Sequence, residues 1–206
     1  MSDAILERRR AAIQEIQREA LVEGFAAAVA QKGYARATIG DIVGAAHVSK
    51  STFYEHFADK EAVYLHLHAT VAVGLSAALA ETLNRTAAET DPRTRLGALV
   101  STYLQAMADN PMWLTQVRIE PQVATPGALT ARVAARKAFE QMLIALSEDL
   151  AGACNEVAAL TGAIIEPGLA GMVSLVADAA ADGPQAVRSL EQPLTEFWVR
   201  LHLAAP

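Results

Sequence analysis

The sequence predicts an all-α fold, and three observations lead to that class. Alanine, the best helix former, occupies 44 of the 206 positions. Segments that alternate apolar and polar residues between Asn-Gly or Asp-Gly turns, the pattern typical of strands and hairpins, are absent. Proline, glycine and capping residues divide the chain into about nine or ten segments with helical spacing.

The amino-acid composition limits the kinds of protein that this chain can be. A chain of 206 residues, 52% apolar and 19% charged, can bury a hydrophobic core in one or two domains and is too apolar to be disordered. The net charge of −6 argues against non-specific polyanion binding, although a small basic surface remains compatible with it. The single cysteine, Cys154, cannot form an internal disulfide and is interpreted as a small buried residue. We expect no secretory leader and no membrane span, since the uncharged window 62–80 contains several polar residues, and hence a cytoplasmic protein.

Helix boundaries can be predicted from the positions of proline, glycine and capping residues. We predict breaks near Gly33, near His47, at Ala58-Asp59, at Asp91-Pro92, at Asn110-Pro111, at Thr125-Pro126-Gly127, at Glu166-Pro167-Gly168 and at Asp182-Gly183-Pro184. The resulting later helices are 60–88, 93–109, 111–123, 127–160 with an internal break, 166–182 and 186–204. Pro193 either kinks the last of these or lies in its true first turn.

Two short helices in succession are predicted between residues 38 and 57. Thr38 is placed to cap the first, with Asp41 three residues later as in a capping box. Ser49 is placed to cap the second, in which Phe53 and Phe57 stand four residues apart and face inward. Two helices joined by so short a turn form a helix-turn-helix.

The second of these helices presents polar groups on its other face. With the two phenylalanines buried, Lys50, Ser51 and Tyr54 face solvent, and such groups hydrogen-bond phosphates and base edges in a major groove. Asp59 caps the next helix, whose first N–H groups can hold a phosphate beside Lys60. The segment therefore predicts a DNA-reading surface.

The segments Lys32-Gly33-Tyr34, Thr38 to Ala46 and Val48 to Ala62 together resemble the N-terminal domain of the TetR family of transcriptional regulators, over the stretch from Leu21 to Leu65. The resemblance implies a three-helix DNA-binding head, followed by a helical bundle that dimerises and usually binds a small effector. The implied domains are 1–62, the helix-turn-helix domain with an N-terminal extension, and 63–206, the effector-binding and dimerisation domain. The DNA-binding residues that the resemblance implies are Thr38, Ser49, Lys50, Ser51, Thr52, Tyr54, His56 and Lys60. Of these, Tyr54, His56 and Lys60 are expected to contact phosphates, and Lys50 and Ser51 are expected nearest the bases.

The sequence departs from the family pattern in two places. The turn position that usually holds glycine is His47, so we expect a strained turn with a positive φ. Some twenty extra residues containing Arg8-Arg9-Arg10 precede the first buried stripe. They are either an arm that reaches a minor groove or a solvated, partly helical extension, and the interleaved acidic residues favour the second.

In the C-terminal domain, two segments have i, i+3, i+4, i+7 spacing, so each buries one face. The resemblance to the TetR family implies that these last two long helices form the dimer interface, in which a two-fold axis repeats the same surface on both subunits. Their predicted interface residues are Leu169, Val173, Val176, Ala177, Ala180, Leu194, Phe197, Trp198 and Leu201. An adaptable apolar effector pocket is predicted between the middle helices, where an ordinary hydrophobic core is an equal alternative. Its expected lining is Tyr103, Met107, Met112, Trp113, Val117, Phe139, Met142 and Leu143, with Gln116, Arg118 or Glu120 as polar anchors.

Sites for enzymatic chemistry, cofactors or metals are not predicted. Gly74 to Ala78 lacks the second glycine of a nucleophile elbow, and His66 and His68 point about 200° apart on a helix, so they cannot clamp one metal. We therefore expect that the protein is not an enzyme. The resemblance to the TetR family implies a homodimeric repressor that binds an inverted-repeat operator in double-stranded DNA and is released by a small hydrophobic effector. The alternatives are a helical ligand-binding or protein-interaction module whose head no longer reads DNA, suggested by His47 and Glu55, and an all-helical enzyme.

Overall fold

The computed structural model describes residues 2–203 of the chain, with side chains described from Ile5 onward. Within these residues the chain is helical and contains no strand, which confirms the all-α class. A single 3-10 turn, Glu120–Gln122, follows the sixth helix. The helices are α1 Ser2–Lys32, α2 Ile39–Ala46, α3 Lys50–His56, α4 Lys60–Arg85, α5 Pro92–Asp109, α6 Pro111–Ile119, α7 Pro126–Ala153, α8 Gly162–Ala181, α9 Pro184–Arg188 and α10 Glu191–Leu203.

The chain divides into two compact units. The first, called the head here, contains the residues up to Ala69 together with Ile119–Leu129. The second, called the body, contains Thr70–Arg118 and the residues from Thr130 onward. The division differs from a single cut in the sequence, because the head includes a short segment that lies far along the chain.

The core of the head forms where α1 packs against α2 and α3. Leu21 and Phe25 of α1, Ile42 of α2 and Phe53 of α3 are completely buried. At Gly24 the backbones of α1 and α2 approach so closely that a Cβ would lie 2.5 Å from the carbonyl oxygen of Ile42. The small residue therefore sets the close crossing that brings α2 and α3 into position.

The body is built around α5, which packs against α9 and α10. Leu96, Leu104 and Met107 of α5 are buried, as are Val187 of α9 and Trp198 of α10. Burial of large apolar side chains supplies most of the stabilisation of such a bundle.

Polar side chains also join elements within the body. Arg95 is buried and donates to Asp149 of α7 over 2.6 Å. The irregular segment 154–161 is held at two points. The Leu160 amide donates to Ser147 Oγ over 2.6 Å, and the Ala158 amide donates to the His202 carbonyl over 3.0 Å.

Most predicted helix boundaries are confirmed, but the break at Glu166-Pro167-Gly168 is wrong. Helix α8 begins at Gly162 and continues through Pro167. The proline is the sixth residue of the helix and has no N–H to donate to the Ala163 carbonyl, and the next residue, Gly168, packs against Trp198. The predicted helix 127–160 ends at Ala153, and the predicted helix 186–204 is divided into α9 and α10, with Pro193 in the first turn of α10.

Helix α1 continues through the N-terminal extension, which was expected to be only partly helical. Residues 5–16 are all exposed, and we call this stretch the arm. By length and composition, α4 and α8 could cross a membrane, a test that core helices of soluble proteins also pass. This finding is weak evidence for a span.

Candidate nucleic-acid interface

Helix α2 begins with the capping box that the sequence predicts. The Thr38 hydroxyl accepts from the Asp41 amide over 3.2 Å, and the Asp41 carboxylate accepts from the Thr38 amide over 3.0 Å. Lys32 donates to the same carboxylate over 2.5 Å. The Lys32 contact, followed by the Thr38 hydrogen bonds, lowers the pKa of Asp41 to about 2. The carboxylate is therefore ionised at neutral pH and fixes the start of α2 to the end of α1.

The turn between α2 and α3 has the strained backbone that the sequence predicts. His47 has φ 55° and ψ 37°, in the left-handed region. Its amide and that of Val48 both donate toward the Val43 carbonyl at the end of α2. Histidine tolerates this conformation better than bulky residues do, so the turn forms without glycine.

Helix α3 then presents one buried and one exposed face. Ser49 caps it by accepting from the Thr52 amide over 3.0 Å. Phe53 is buried and Tyr54 is exposed, with its ring edge-on to that of Phe53 at 5.4 Å between centroids. The exposed residues of the helix are Lys50, Ser51, Tyr54 and Glu55. A cation, a hydroxyl and a phenol therefore share the solvent-facing side of α3, which supports their assignment as DNA-contacting groups.

Two other predicted contact residues on α3 already have partners within the head. Thr52 is half-buried, with its hydroxyl 2.9 Å from that of Ser49. His56 is also half-buried, with Nε2 at 3.2 Å from Oε1 of Gln17 on α1. These two residues link α3 to its own cap and to α1, and each keeps only part of its surface for a ligand.

Lys60 lies in a different environment from the one expected. Its ammonium group donates to the carbonyls of Tyr34, Ala35 and Ala37 over 2.7, 3.3 and 3.0 Å, so its three donors are directed at the turn between α1 and α2. The Asp59 carboxylate accepts from the Ala62 amide over 2.8 Å and caps α4 as predicted. Burial, then the charges of Glu61 and Asp59, raise the pKa of Tyr34. The sequence pattern located Lys60 but did not indicate this internal role.

Sequence reasoning also missed the segment Ile119–Leu129, which belongs to the head. The Tyr34 amide donates to Oε1 of Gln122 over 3.3 Å, across 88 residues of chain. Ile119, Val123 and Ala128 of the segment are buried. Gly127, in the first turn of α7, is packed directly against the Glu61 carboxylate of α4. The sequence of the segment Ile119–Leu129 contains no motif that indicates its place in the head.

The predicted effector residues lie in the body on α5, α6 and α7. Tyr103, Met107 and Val117 are buried, whereas the remaining members are half-buried, namely Met112, Trp113, Phe139, Met142 and Leu143. Of the proposed anchors Gln116 is buried, Arg118 is exposed, and Glu120 falls in the head unit. Trp113 packs on Gly74 of α4, where a Cβ would lie 2.5 Å from its Cζ2 atom.

The predicted dimer residues divide into two groups. Five are buried in the protomer's own core and have no free surface for a second copy, namely Leu169, Val176, Ala180, Leu194 and Trp198. Val173, Ala177 and Leu201 are half-buried, and Phe197 is exposed. The helical spacing identified apolar faces correctly, but most of those residues face the chain's own helices. Large apolar residues that are exposed on α8 and α10 are Ile164, Leu175, Phe197 and Leu203.

Among the side chains that the structure describes, no group of three or more His, Cys, Asp or Glu residues could hold a metal ion. Cys154 is a half-buried free thiol.

Comparison with known proteins bears on this head directly. The family model described as bacterial regulatory proteins, tetR family, matches residues 21–67. The chain carries a TetR-family head. The match begins at the first completely buried residue of α1 and ends within α4, so it spans the helix-turn-helix and its supports. No curated protein matches the sequence.

Solved structures extend the TetR-type fold over most of the chain. The fatty acid degradation regulator FadR from Bacillus halodurans has 17% identity and a TM-score of 0.65, and the match covers 87% of this chain and 93% of that one. FadR from Bacillus subtilis, in complex with stearoyl-CoA, has 14% identity and a TM-score of 0.65, covering 86% and 95%. A TetR-family regulator from Agrobacterium tumefaciens has 17% identity and a TM-score of 0.67, covering 89% and 97%. At these identities the likeness establishes the fold.

Proposed function

We propose that this chain is a cytoplasmic, sequence-specific DNA-binding repressor that acts as a homodimer and leaves an inverted-repeat operator when a small, largely apolar effector binds. The observation that carries the proposal is the exposed face of α3 within a TetR-type head. Lys50, Ser51 and Tyr54 point to solvent there, while the caps at Thr38 and Ser49 hold both helices of the motif.

Roles can be assigned to these side chains by their chemistry. Lys50 and Ser51, in the first turn of α3, are proposed to contact base edges, because residues at the start of a recognition helix enter the major groove. Tyr54, Thr38, Ser49, Thr52 and His56 are proposed to contact phosphates, which positions the helix without reading sequence. Lys60 is proposed to act first as a positioning residue, since a phosphate contact would compete with its three carbonyl partners.

The effector is proposed to be a molecule with a long apolar part, such as a fatty acyl chain. The candidate lining on α5, α6 and α7 consists of aromatic, methionine and aliphatic side chains. Methionine-rich, apolar linings adapt to flexible hydrophobic ligands. The Bacillus subtilis structure with a similar fold binds stearoyl-CoA, which supports this ligand class.

Communication between effector and DNA is proposed to use the segment Ile119–Leu129. This segment packs within the head, and it connects two helices that carry effector candidates, Met112 and Trp113 on α6 and Phe139 on α7. A ligand that shifts either helix would therefore pull on Gln122 and on Tyr34, at the start of the helix-turn-helix. Effector binding needs only a differential affinity on the order of 1–3 kcal/mol for two head positions to release DNA.

Dimerisation is proposed to use the exposed apolar residues of α8 and α10. Ile164, Gly171 and Leu175 lie on one face of α8, because seven and eleven residues return the helix to nearly the same direction. Gly171 has open space around it, which allows close approach of a second helix. Phe197 of α10 extends the apolar surface. To bind an inverted repeat, a two-fold dimer must present its two heads to successive major grooves, about 34–36 Å apart.

Selection from a random duplex library with the purified protein tests this function. We expect enrichment of an inverted repeat, with affinity that falls steeply as salt rises. Lys50→Ala should change which half-site is enriched, whereas Tyr54→Phe should weaken binding to all sequences by a similar factor. Failure to enrich any sequence, with weak binding abolished by salt, would instead favour a ligand-binding or protein-interaction module with a head that does not read DNA.

A further inference from the structure

Glu55 is the acidic residue on the exposed face of α3, and the proposed function gives it no role. Phe53 is completely buried, and Nε2 of His56 lies 3.2 Å from Oε1 of Gln17 on α1, so the rotation of α3 about its own axis is fixed. Ser51 and Glu55 stand two residues before and two residues after Phe53, which places each about 160° from it around the helix. Both side chains therefore point away from the core of the head.

Glu55 gains no compensating contact within the part of the chain that the structure describes. It lies in the last turn of α3, where the negative end of the helix dipole disfavours an acidic side chain. None of the hydrogen bonds or ion pairs between described side chains includes it. Lys60, the next cation along the chain, is directed at backbone carbonyls. A residue that breaks a local rule without a gain in the fold is expected at a functional site.

A carboxylate on a recognition helix has few favourable partners in DNA. In the major groove it is repelled by the phosphates and loses water, so it must accept a hydrogen bond from a base edge. The donors there are the N4 amino group of cytosine and the N6 amino group of adenine. Adenine presents its N7 acceptor beside the donor, whereas cytosine presents the donor alone. The carboxylate therefore fits cytosine best.

We propose that Glu55 selects a cytosine in each half-site of the operator by accepting a hydrogen bond from the N4 amino group. The inference rests on the proposed function and adds the identity of one base pair to it. Ser51 and Glu55 are about 6 Å apart along the helix axis, and base pairs are spaced by about 3.4 Å. The cytosine should thus lie within about two base pairs of the one that Ser51 contacts. Sites without an amino group at this position are rejected by repulsion.

Selection from a random duplex library tests the assignment with three forms of the full-length protein. We expect the wild type to enrich an inverted repeat with one strongly preferred cytosine in each half-site. Glu55→Ala should enrich the same repeat with no preference at that position, because the acceptor is gone. Glu23→Ala removes the same charge from an exposed position of α1 and should keep the preference for cytosine.

Binding titrations measure the strength of the contact. The selected repeat is compared with a duplex in which the cytosine of each half-site is replaced by thymine, which presents an acceptor in place of the amino group. The wild type should bind the altered duplex about tenfold or more weakly. Glu55→Ala should discriminate much less and should bind a random duplex at least as tightly as the wild type does, because a negative charge is removed from the interface.

Glu55→Gln separates hydrogen bonding from simple repulsion, because the amide keeps one acceptor oxygen without the charge. We expect it to retain part of the preference for cytosine, unlike Glu55→Ala. If both variants instead raise the affinity for every duplex by one factor and leave all preferences unchanged, the carboxylate only repels phosphates and the inference is wrong. If the wild type enriches no sequence, the proposed function fails, and the role of Glu55 fails with it.

Discussion

The ammonium group of Lys60 lies 4.5 Å from the centre of the Tyr34 ring and 2.7 Å from the carbonyl oxygen of the same residue. With the carbonyls of Ala35 and Ala37 it thereby closes the turn that leads from α1 into α2. Lys60, at the start of α4, thus holds a turn that lies more than twenty residues earlier in the chain. This turn leads directly to Thr38, which caps the first helix of the helix-turn-helix.

Replacing Lys60 should therefore affect the fold of the head. We expect Lys60→Ala to lower the free energy of unfolding by about 1–3 kcal/mol, because three carbonyls lose a charged donor. Urea denaturation of the full chain measures this loss, with Lys137→Ala as the control at an exposed lysine of α7. If Lys60 instead acts mainly on a phosphate, stability will hardly change and the salt slope of DNA binding will fall by about one.

Gln122 should protect the Tyr34 amide from exchange with solvent. We expect Gln122→Ala to accelerate hydrogen exchange at that amide by about fivefold or more, because its 3.3 Å bond to the side-chain oxygen is lost. Exchange followed by NMR gives the rate, and Gln185→Ala provides an exposed control on α9. An unchanged rate at Tyr34 would mean that the segment Ile119–Leu129 does not hold the turn.

His202 should make the protein less stable in mild acid. It is buried and its Nδ1 lies 2.7 Å from the Trp198 carbonyl, and burial lowers its pKa below 6.5 in the folded state. As the pH falls through 6.5 the unfolded chain binds a proton first, so stability decreases from that point downward. Between pH 8 and pH 5.5 this residue should therefore lower the free energy of unfolding, and His202→Leu should remove that part of the decline.

Denaturation curves at the two pH values test the assignment, with His47→Asn as the control at an exposed histidine. His66 also has a pKa lowered by burial and by Arg18, so a smaller decline remains in the variant. A decline as steep as that of the wild type would contradict the role of His202.

Gly74 should be intolerant of a side chain. Gly74→Ala places a Cβ against the ring of Trp113, and we expect a loss of about 1–3 kcal/mol in unfolding free energy because the indole must move. Gly152→Ala, at a helical glycine with open space around it, should be neutral or stabilising. Thermal and chemical denaturation compare the two, and equal behaviour would show that the indole does not pack on α4.

Leu175 should be required for dimerisation. We expect Leu175→Arg to convert the dimer to a monomer in light scattering, because the charged group would be buried at the proposed two-fold interface. Ser174→Arg adds the same charge to the neighbouring exposed position and should leave the dimer intact. A Leu175→Arg protein that remains dimeric would place the interface elsewhere.

The parts of the site that follow from short-range rules could be predicted from the sequence. The caps at Thr38 and Ser49, and the positive φ at His47, depend on neighbours within three or four residues. The predicted helix 166–182 places Pro167 in its first turn, where proline is favoured, but α8 already begins at Gly162. Local rules for proline therefore misplaced the start of this helix.

The long-range parts could not be predicted in this way. Lys60 reaches back 26 residues to Tyr34, and Gln122 reaches back 88. Phe197 and Trp198 are neighbours of similar hydrophobicity, yet Phe197 is 40% exposed and Trp198 is 3% exposed. Apolar spacing reveals that a helix has a buried face, but the partner that covers each residue depends on the assembled fold.

Helix α1 runs without interruption from the arm into the buried part of the head. Because the helix is continuous, the angle between Ile16 and Phe25 around the helix axis is fixed. The position of the buried Phe25 therefore determines the direction in which Ile16 points. Inserting one residue between Gln17 and Leu21 would swing the arm by about 100°, whereas inserting seven would return it to nearly its original direction and extend it by about 10 Å. The number of residues between these positions thus determines the direction of the arm as well as how far it extends.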